Sequence, residues 1–283
     1  MNLELCRTPE ADLHCHTTAS DGLFTPRELV LLAKKKGLKA VAITDHDTIL
    51  GWTEAENVGR EYGIDILRGV ELNTDWNGKE VHILGYELDR ESKIVQERLV
   101  ELQLSRLKRI REILECLRHL GIKIPIDDVL EFARGESVGR PHVAQALVKH
   151  GYVTDNQEAF LHYLGSGAPA YVPRFKLNTT EGIRFIRESK GVAVLAHPGV
   201  QGLEESIIAS WVDAGLQGVE IIHSDHNSDD EKRYRHIAKQ YDLIMTGGSD
   251  FHGDNKPLVT LGKWGVPMLV VRQIREIASR NNS

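Results

Sequence analysis

The chain is short of several things. It has three cysteines, Cys6, Cys15 and Cys116, in 283 residues. So few, and an odd number, build no disulfide framework and fit a reducing compartment. No stretch comes near the roughly 20 apolar residues of a membrane helix. The first residues lack the charged-then-apolar pattern of a secretory leader, so a cytoplasmic protein with no membrane partner is the expectation. Basic residues are not in excess. A formal net charge of −6 argues against a broad surface for long duplex nucleic acid, although a local basic groove stays open. There is no internal repeat, no low-complexity tract, and no glycine-rich phosphate loop of the kind nucleoside-triphosphate motors use. What is there is an ordinary soluble composition, 41% hydrophobic and 27% charged, long enough to bury a core unaided. It also carries thirteen histidines, and their positions matter more than their number.

Much of the chain reads as strand followed by helix. Ala11-Asp12-Leu13 is a short strand. Thr25 then looks like an N-cap, with Pro26 at the first helical position and Glu28 completing a capping box. Strands are expected at 39–44, 64–70, 80–88, 192–195, 218–222 and 243–246, and helices at about 50–62, 203–214 and 229–241. Residues 268–271 fit a further strand or the start of a last helix. Alternating elements of this kind predict a parallel α/β architecture, and about seven units fit a TIM-like barrel. Residues 97–171 differ. Leu107, Ile110, Leu114 and Leu117 repeat at helical spacing, and 129–134 and 142–150 also read as helices. The expectation is a catalytic barrel from 1–96 and 172–283, interrupted by an all-helical insertion at 97–171.

The residues that carry chemistry share a place in this pattern. In a strand, His14 and His16 point to one face while Cys15 points to the other and packs. Two imidazoles on one face are a common start to a metal site. Asp21 follows. His46 lies just after the second strand, Glu71 at the end of the third, and His82 in the alternating segment beyond it. His197 closes Leu195-Ala196-His197-Pro198, and Asp250 and His252 follow the strand ending near Thr246. One histidine at a strand end is usually structural. Six histidines and three carboxylates at the same ends of successive strands are not, because those ends converge on one face of a parallel barrel. A single ion takes three or four protein ligands, so nine candidates imply two or three ions. The mixed imidazole and carboxylate set suits Mn, Fe or Zn better than Mg.

His14-x-His16, Asp21-Gly22, Thr44-Asp45-His46, Gly69-Val70-Glu71, Ala196-His197-Pro198 and Ser249-Asp250-x-His252 together resemble the motif set of the PHP (polymerase and histidinol phosphatase) family. The resemblance implies a distorted (β/α)7 barrel and a trinuclear, Mn-favouring centre. His14, His16, Glu71 and Asp250 would hold one ion. Glu71 would bridge to a second, held also by His82 and His197. Asp21, His46 and His252 would hold the third. Clustered ions acidify a bridging water and clamp phosphoryl oxygens, so in-line attack by metal-bound hydroxide is expected, with no covalent serine or cysteine intermediate.

Substrate choice must lie elsewhere. Arg140, in Gly139-Arg140-Pro141-His142, reads either as a bidentate phosphate clamp reaching over the metals or as a solvated helix-start residue. His142 belongs to the same motif. Arg174 is a second basic candidate where the insertion rejoins the barrel. His226 is a candidate proton donor to the leaving group, with His223 a weaker substrate contact. Arg106, Lys108, Arg109 and Arg111 read as the wet face of a helix. The arrangement resembles the family branch of 3',5'-nucleotide bisphosphate phosphatases and 5'-3' exonucleases acting on short RNA. This implies a small phosphorylated nucleotide or short oligonucleotide as substrate. A histidinol-phosphatase-like or tyrosine-phosphatase activity is the alternative within hydrolases. The alternative of another class is a non-catalytic regulatory module, like the PHP domains attached to replicative polymerases.

Overall fold

The computed structural model describes residues 9–133, 138–173 and 177–281. The strand–helix alternation builds β1 (Ala11–Asp12), α1 (Pro26–Lys35), β2 (Ala40–Ile43), α2 (Gly51–Tyr62), β3 (Asp65–Trp76) and β4 (Lys79–Tyr86). The helices α3 (Lys93–His119), α4 (Ile126–Ala133), α5 (Arg140–Lys149) and α6 (Asn156–Ala159) follow, the last running into a π turn at Phe160–Leu164. The chain then returns through β5 (Leu177–Asn178), α7 (Thr179–Glu188), β6 (Val192–Leu195), α8 (Glu205–Asp213), β7 (Gly218–Ile222), α9 (Ser228–Gln240), β8 (Ile244–Gly247) and α10 (Met268–Asn281). Residues 268–271 are therefore helix. The Thr25–Glu28 capping box that starts α1 is formed as expected.

Seven strands run in the order β1-β2-β3-β4-β6-β7-β8, with β5 paired to β3 off this path. The sheet nearly closes into a barrel. Leu13 N–H donates to Gly247 O at 3.3 Å and Asp250 N–H to His14 O at 2.8 Å, joining the chain after β8 to the chain after β1.

One expectation is corrected here. The barrel is not wholly parallel, because β4 runs antiparallel to both β3 and β6. The cause is local. Asn77 and Gly78 both take positive φ, 51° and 80°, between the paired residues Trp76 and Lys79. That is a two-residue hairpin turn, and Asn-Gly is the dipeptide that favours it. Reversal of β4 brings its beginning to the end of the barrel where the parallel strands finish, so His82 lies there too.

Side chains alternate across the sheet as the pleat demands. Ala40 and Ala42 of β2 join Val192 and Val194 of β6 in one apolar cluster, with Val270 and Ile274 of α10 closing it. Val41, Ile43, Ala193 and Leu195 face a second cluster formed with the surrounding helices. The helices between β4 and β5 have a third core of their own, around Ile110, Ile113, Leu117, Val143 and Leu147. The expected boundary at 97 falls inside α3, which belongs to both. Its Val95, Leu99 and Leu102 pack with the barrel helices, and its Ile110, Ile113 and Leu117 with the insertion. Among the described residues, no helix is long and apolar enough to cross a membrane.

Candidate metal centre

The loops after strands deliver most of the side chains; Glu71, expected at a strand end, lies inside β3, which runs on to Trp76, and His82 lies inside β4. His14 and His16 alternate as the chain leaves β1, and their rings lie 5.3 Å apart. Cys15 turns the other way into the apolar core, where burial holds its thiol well above its ordinary pKa. The close approach of the chain after β8 to His14 requires glycine at 248. A Cβ there would sit 2.3 Å from His14 Cβ. Asp47, His197 and Asp250 all hold positive φ, at 54°, 28° and 56°. Strain of this kind at strand ends persists where surrounding structure over-determines it, and it concentrates at functional sites.

Glu71 is the hub. Its Oε2 lies 3.3 Å from His14 Nε2, 3.1 Å from His16 Nε2 and 3.1 Å from His46 Nδ1. Its Oε1 lies 2.7 Å from His82 Nδ1 and 3.1 Å from His197 Nε2. Asp250 Oδ1 is 3.5 Å from His14 Nε2 and 3.3 Å from His16 Nε2. Asp21 reaches His252 Nε2 at 3.3 Å and His46 Nε2 at 3.7 Å. Four groups have ligand atoms within 4.8 Å of one another: His14, His16, Glu71 and Asp250; Glu71, His82 and His197; His16, Asp21, His46 and His252; and His14, Glu220 and His223. All nine residues expected from the sequence are thus brought together.

The donor set fits divalent ions. His14 Nε2, both ring nitrogens of His16 and His223 Nε2 are buried without a hydrogen-bond partner among the described residues. Buried polar atoms left so are costly unless something else satisfies them. The electrostatics agree. Burial works against ionisation of Glu71, Asp250 and Asp21, yet the surrounding histidines hold all three well below the usual carboxylate range. Burial also works against a charged His16, but the adjacent Asp250 and Glu71 carboxylates raise it to about 10. His82 is raised to about 9 by Glu71 against the same penalty. At His46 burial wins, and its pKa falls to about 4. Without a cation, protons on histidine balance the carboxylates, which is the charge arrangement of a site that exchanges protons for metal.

A family profile for the PHP domain matches residues 12–242. The chain belongs to the PHP domain family. It is 36% identical over 253 residues to a 5'-3' exoribonuclease of Haemophilus influenzae, covering 87% of this chain and 90% of that one. It is 33% identical over 246 residues to a 3',5'-nucleoside bisphosphate phosphatase of Chromobacterium violaceum, covering 85% and 86%. A crystal structure from Bifidobacterium adolescentis, of a protein assigned by inference as a metal-dependent phosphoesterase, superposes with a TM-score of 0.86 at 34% identity over 94% of this chain and 96% of that one. The PHP residues described above therefore belong to a metal-dependent phosphoester hydrolase.

Further residues hold this PHP centre in place, and sequence reasoning misses them. Glu220 of β7 is fully buried. It lies 3.2 Å from His14 Nδ1 and accepts from His197 N–H at 2.9 Å. A carboxylate on the far nitrogen of a ligand imidazole fixes its tautomer and orientation. Asp12 accepts from the backbone N–H groups of Ser249 and Gly262, at 2.9 and 2.7 Å, and pins the β8 loop to β1. Asp45 accepts from Thr17 and Ser20 and shapes the loop that carries Asp21. Lys256 is ion-paired to Asp250 Oδ2, the oxygen turned away from His14 and His16.

The substrate candidates divide. A cavity of about 180 Å³ is lined by Asp21, His46 and His82 from the barrel and by Arg109, Arg140 and His142 from the helices after β4. Arg140 thus lines a cavity together with three of the ligand candidates. Its guanidinium lies 5.5 Å from each of the Phe160 and Tyr171 rings and donates to Leu164 O at 3.0 Å. His142 accepts from Gly139 N–H through Nδ1 at 3.0 Å. His223 is buried, with Nε2 3.6 Å from Asp250 Oδ2, so it joins the centre. His226 does not. Its Nδ1 donates to Ile221 O at 2.8 Å and its Nε2 accepts from Gly199 N–H at 3.0 Å, which makes it a tie between two loops with no nitrogen left for a leaving group. Arg174 lies outside the described residues. The wet-face reading of α3 holds for Lys108 and Arg111, which are exposed, but not for Arg106 and Arg109. Arg106 is 8% exposed and paired with Asp47, and Arg109 donates to Val172 O at 2.8 Å.

Proposed function

We propose that this enzyme removes phosphate or a nucleotide from small phosphorylated nucleotides, acting on a 3',5'-nucleoside bisphosphate, on the 5' end of short RNA, or on both. The observation that carries this reading is the pairing of the Glu71-centred ligand cluster with an arginine-lined cavity sharing its wall. Three divalent ions fit the groups. His14, His16, Glu71 and Asp250 would hold the first, His82 and His197 with Glu71 the second, and Asp21, His46 and His252 the third. A mixed imidazole and carboxylate set suits manganese, iron or zinc, and the family resemblance favours manganese. When bound, such ions supply an acidified water and neutralise charge developing on the phosphoryl group.

The chain's own residues do the rest. Glu220 fixes the His14 ring so that Nε2 faces Glu71 and Asp250. Arg140, braced by two rings and a carbonyl, and Arg109 behind it offer guanidinium groups to a second phosphate beside the centre. His142 lines the same wall, and His223 stands beside Asp250 at the scissile end. Cys15 and Cys116 are free, which suits a cytoplasmic enzyme. The test is product analysis. Metal-stripped protein resupplied with Mn²⁺ is given 3'-phosphoadenosine 5'-phosphate in one arm and 5'-phosphorylated short RNA in the other. Release of inorganic phosphate or of 5'-mononucleotide is the expected result. Both substrates left intact by Mn²⁺-loaded, folded protein sinks the reading.

A further inference from the structure

Between the metal centre and the helical insertion lies one buried chain of polar contacts that the proposed chemistry does not use. It begins at Arg106 in the middle of α3. Its Nε and Nη2 donate to Asp47 Oδ2 at 3.1 and 2.7 Å. Asp47 also accepts from Asn73, through the backbone N–H at 3.1 Å and through Nδ2 at 3.4 Å. Asn73 Nδ2 in turn lies 3.0 Å from His46 Nδ1. His46 Nε2, on the far side of the ring, is the nitrogen that faces Asp21. Four residues therefore connect a helix of the insertion to one ligand group.

The placement of Arg106 gives the contact its leverage. Leu102 one turn before it packs with the barrel, and Ile110 one turn after it packs in the insertion core. Arg106 sits where α3 passes from one to the other. It also neighbours the start of α5. A Cβ at Gly139 would be 4.0 Å from its Nη1, and Arg140 and His142 follow directly. Asp47 is anchored on the other side, because its N–H donates to Glu71 O at 3.0 Å. A carboxylate accepting from four N–H groups in a buried place has few alternative positions.

We propose that Arg106 and Asp47 are positioning residues. They lock α3 to the loop after β2 and, through Asn73, set the His46 ring, so that seating the insertion and completing the Asp21–His46–His252 ion site are one event. This rests on the metal assignment proposed above. An arginine is suited to it because its fork holds a fixed geometry that a lysine would not.

The experiment titrates full-length, metal-stripped protein with Mn²⁺, reading free ion by electron paramagnetic resonance. Wild type, His46→Ala, Arg106→Gln and the double variant Asp47→Asn/Arg106→Gln are compared, with circular dichroism confirming the fold. The double variant removes both charges together, so no unpaired ion is left buried. It still breaks the relay, because an amide at 47 turns a donor toward one of the Asn73 donors. The expected result is that one class of Mn²⁺ sites weakens about tenfold or more in both Arg106 variants, as it does in His46→Ala, while the other sites keep their affinity. Equal weakening of all sites, or no change in any, overturns the inference. If the single variant does not fold, the double variant decides by the same criterion. Wild-type protein that binds no Mn²⁺ defeats the metal assignment itself. Wild-type binding beside unaltered variants defeats only the relay.

Discussion

The barrel and the helices between β4 and β5 meet at one cavity but build their walls by different rules. On the barrel side, Glu71 stands inside β3 and His82 inside β4, in a ladder whose register fixes their direction, and the other candidate ligands stand in the loops that follow strands. His14, His16 and Glu71 are almost fully buried, and neighbouring carboxylates and imidazoles hold them in place. On the helical side, Arg140 is held by two ring faces and one carbonyl, and it is only partly buried. Metal binding needs fixed donors, which the sheet supplies. The proposed substrate contacts need approach and release, which helices with a separate core allow. The difference predicts which variants destroy activity and which only weaken substrate binding.

The largest effect belongs to the barrel. His14→Ala or Asp250→Ala should lower kcat by about a thousandfold or more, since each removes a donor from the charge-stabilising centre. Circular dichroism should stay unchanged, and a variant that kept a tenth of the activity would detach the centre from the chemistry. Glu220→Gln comes next. It touches His14 and His197 N–H without being one of the nine ligand candidates, so it should weaken metal binding by about 10- to 100-fold while saturating Mn²⁺ restores most of kcat.

Protons give the same comparison a pH axis. In the metal-free protein His16 titrates at about 10 and His82 at about 9, so both are protonated at neutral pH. A cation must displace those protons. Mn²⁺ binding should therefore release protons at pH 7 and tighten as pH rises toward 9. Calorimetry in buffers of different ionisation enthalpy reads this directly. Stability of the metal-free protein should move the other way. Both histidines are raised above their unfolded pKa of about 6.5, so their contribution is complete below that pH and is lost as pH climbs through 9 to 10. The depressed carboxylates Glu71, Asp250 and Asp21 give the opposite limb, with stability present above about pH 4 and lost as they take up protons in acid.

The barrel was readable because its rule is short. Period-two alternation places His14 with His16 and sends Cys15 away, and strand ends converge wherever the strands run parallel. The reversal of β4 escaped that rule, although Asn77-Gly78 carries the signal in two residues. Glu220 escaped for a different reason. Inside Gly218–Ile222 it stands as a lone acid in a buried strand, where only a partner distant in sequence can make it affordable. Arg106 had a visible sign too. It occupies the stripe of Leu99, Leu102, Ile110, Ile113 and Leu117, so helical spacing places it on the buried face. His226 shows the limit. Nothing in a sequence says that both ring nitrogens will be taken by backbone groups of two loops.

The smallest effects fall on the helical side, and there the two faces of neighbouring helices can be set against each other. Arg140→Ala should raise KM for a bisphosphate substrate by about tenfold, roughly one charge-assisted contact, with kcat little changed. The same variant should leave KM for a simple aryl phosphate unaltered, because that substrate has no second phosphate to place in the cavity. Arg111→Ala, one turn beyond Leu107 on the exposed face of α3, should change neither constant beyond about twofold and should alter stability by less than about 0.5 kcal/mol. A rise in KM for both substrates in Arg140→Ala would place that guanidinium on the scissile phosphate itself. The cavity would then serve the reacting group and not a second one. Equal effects from Arg140 and Arg111 would show that only the net positive charge of the insertion matters, and the separation between a fixed metal wall and a specific helical wall would fall.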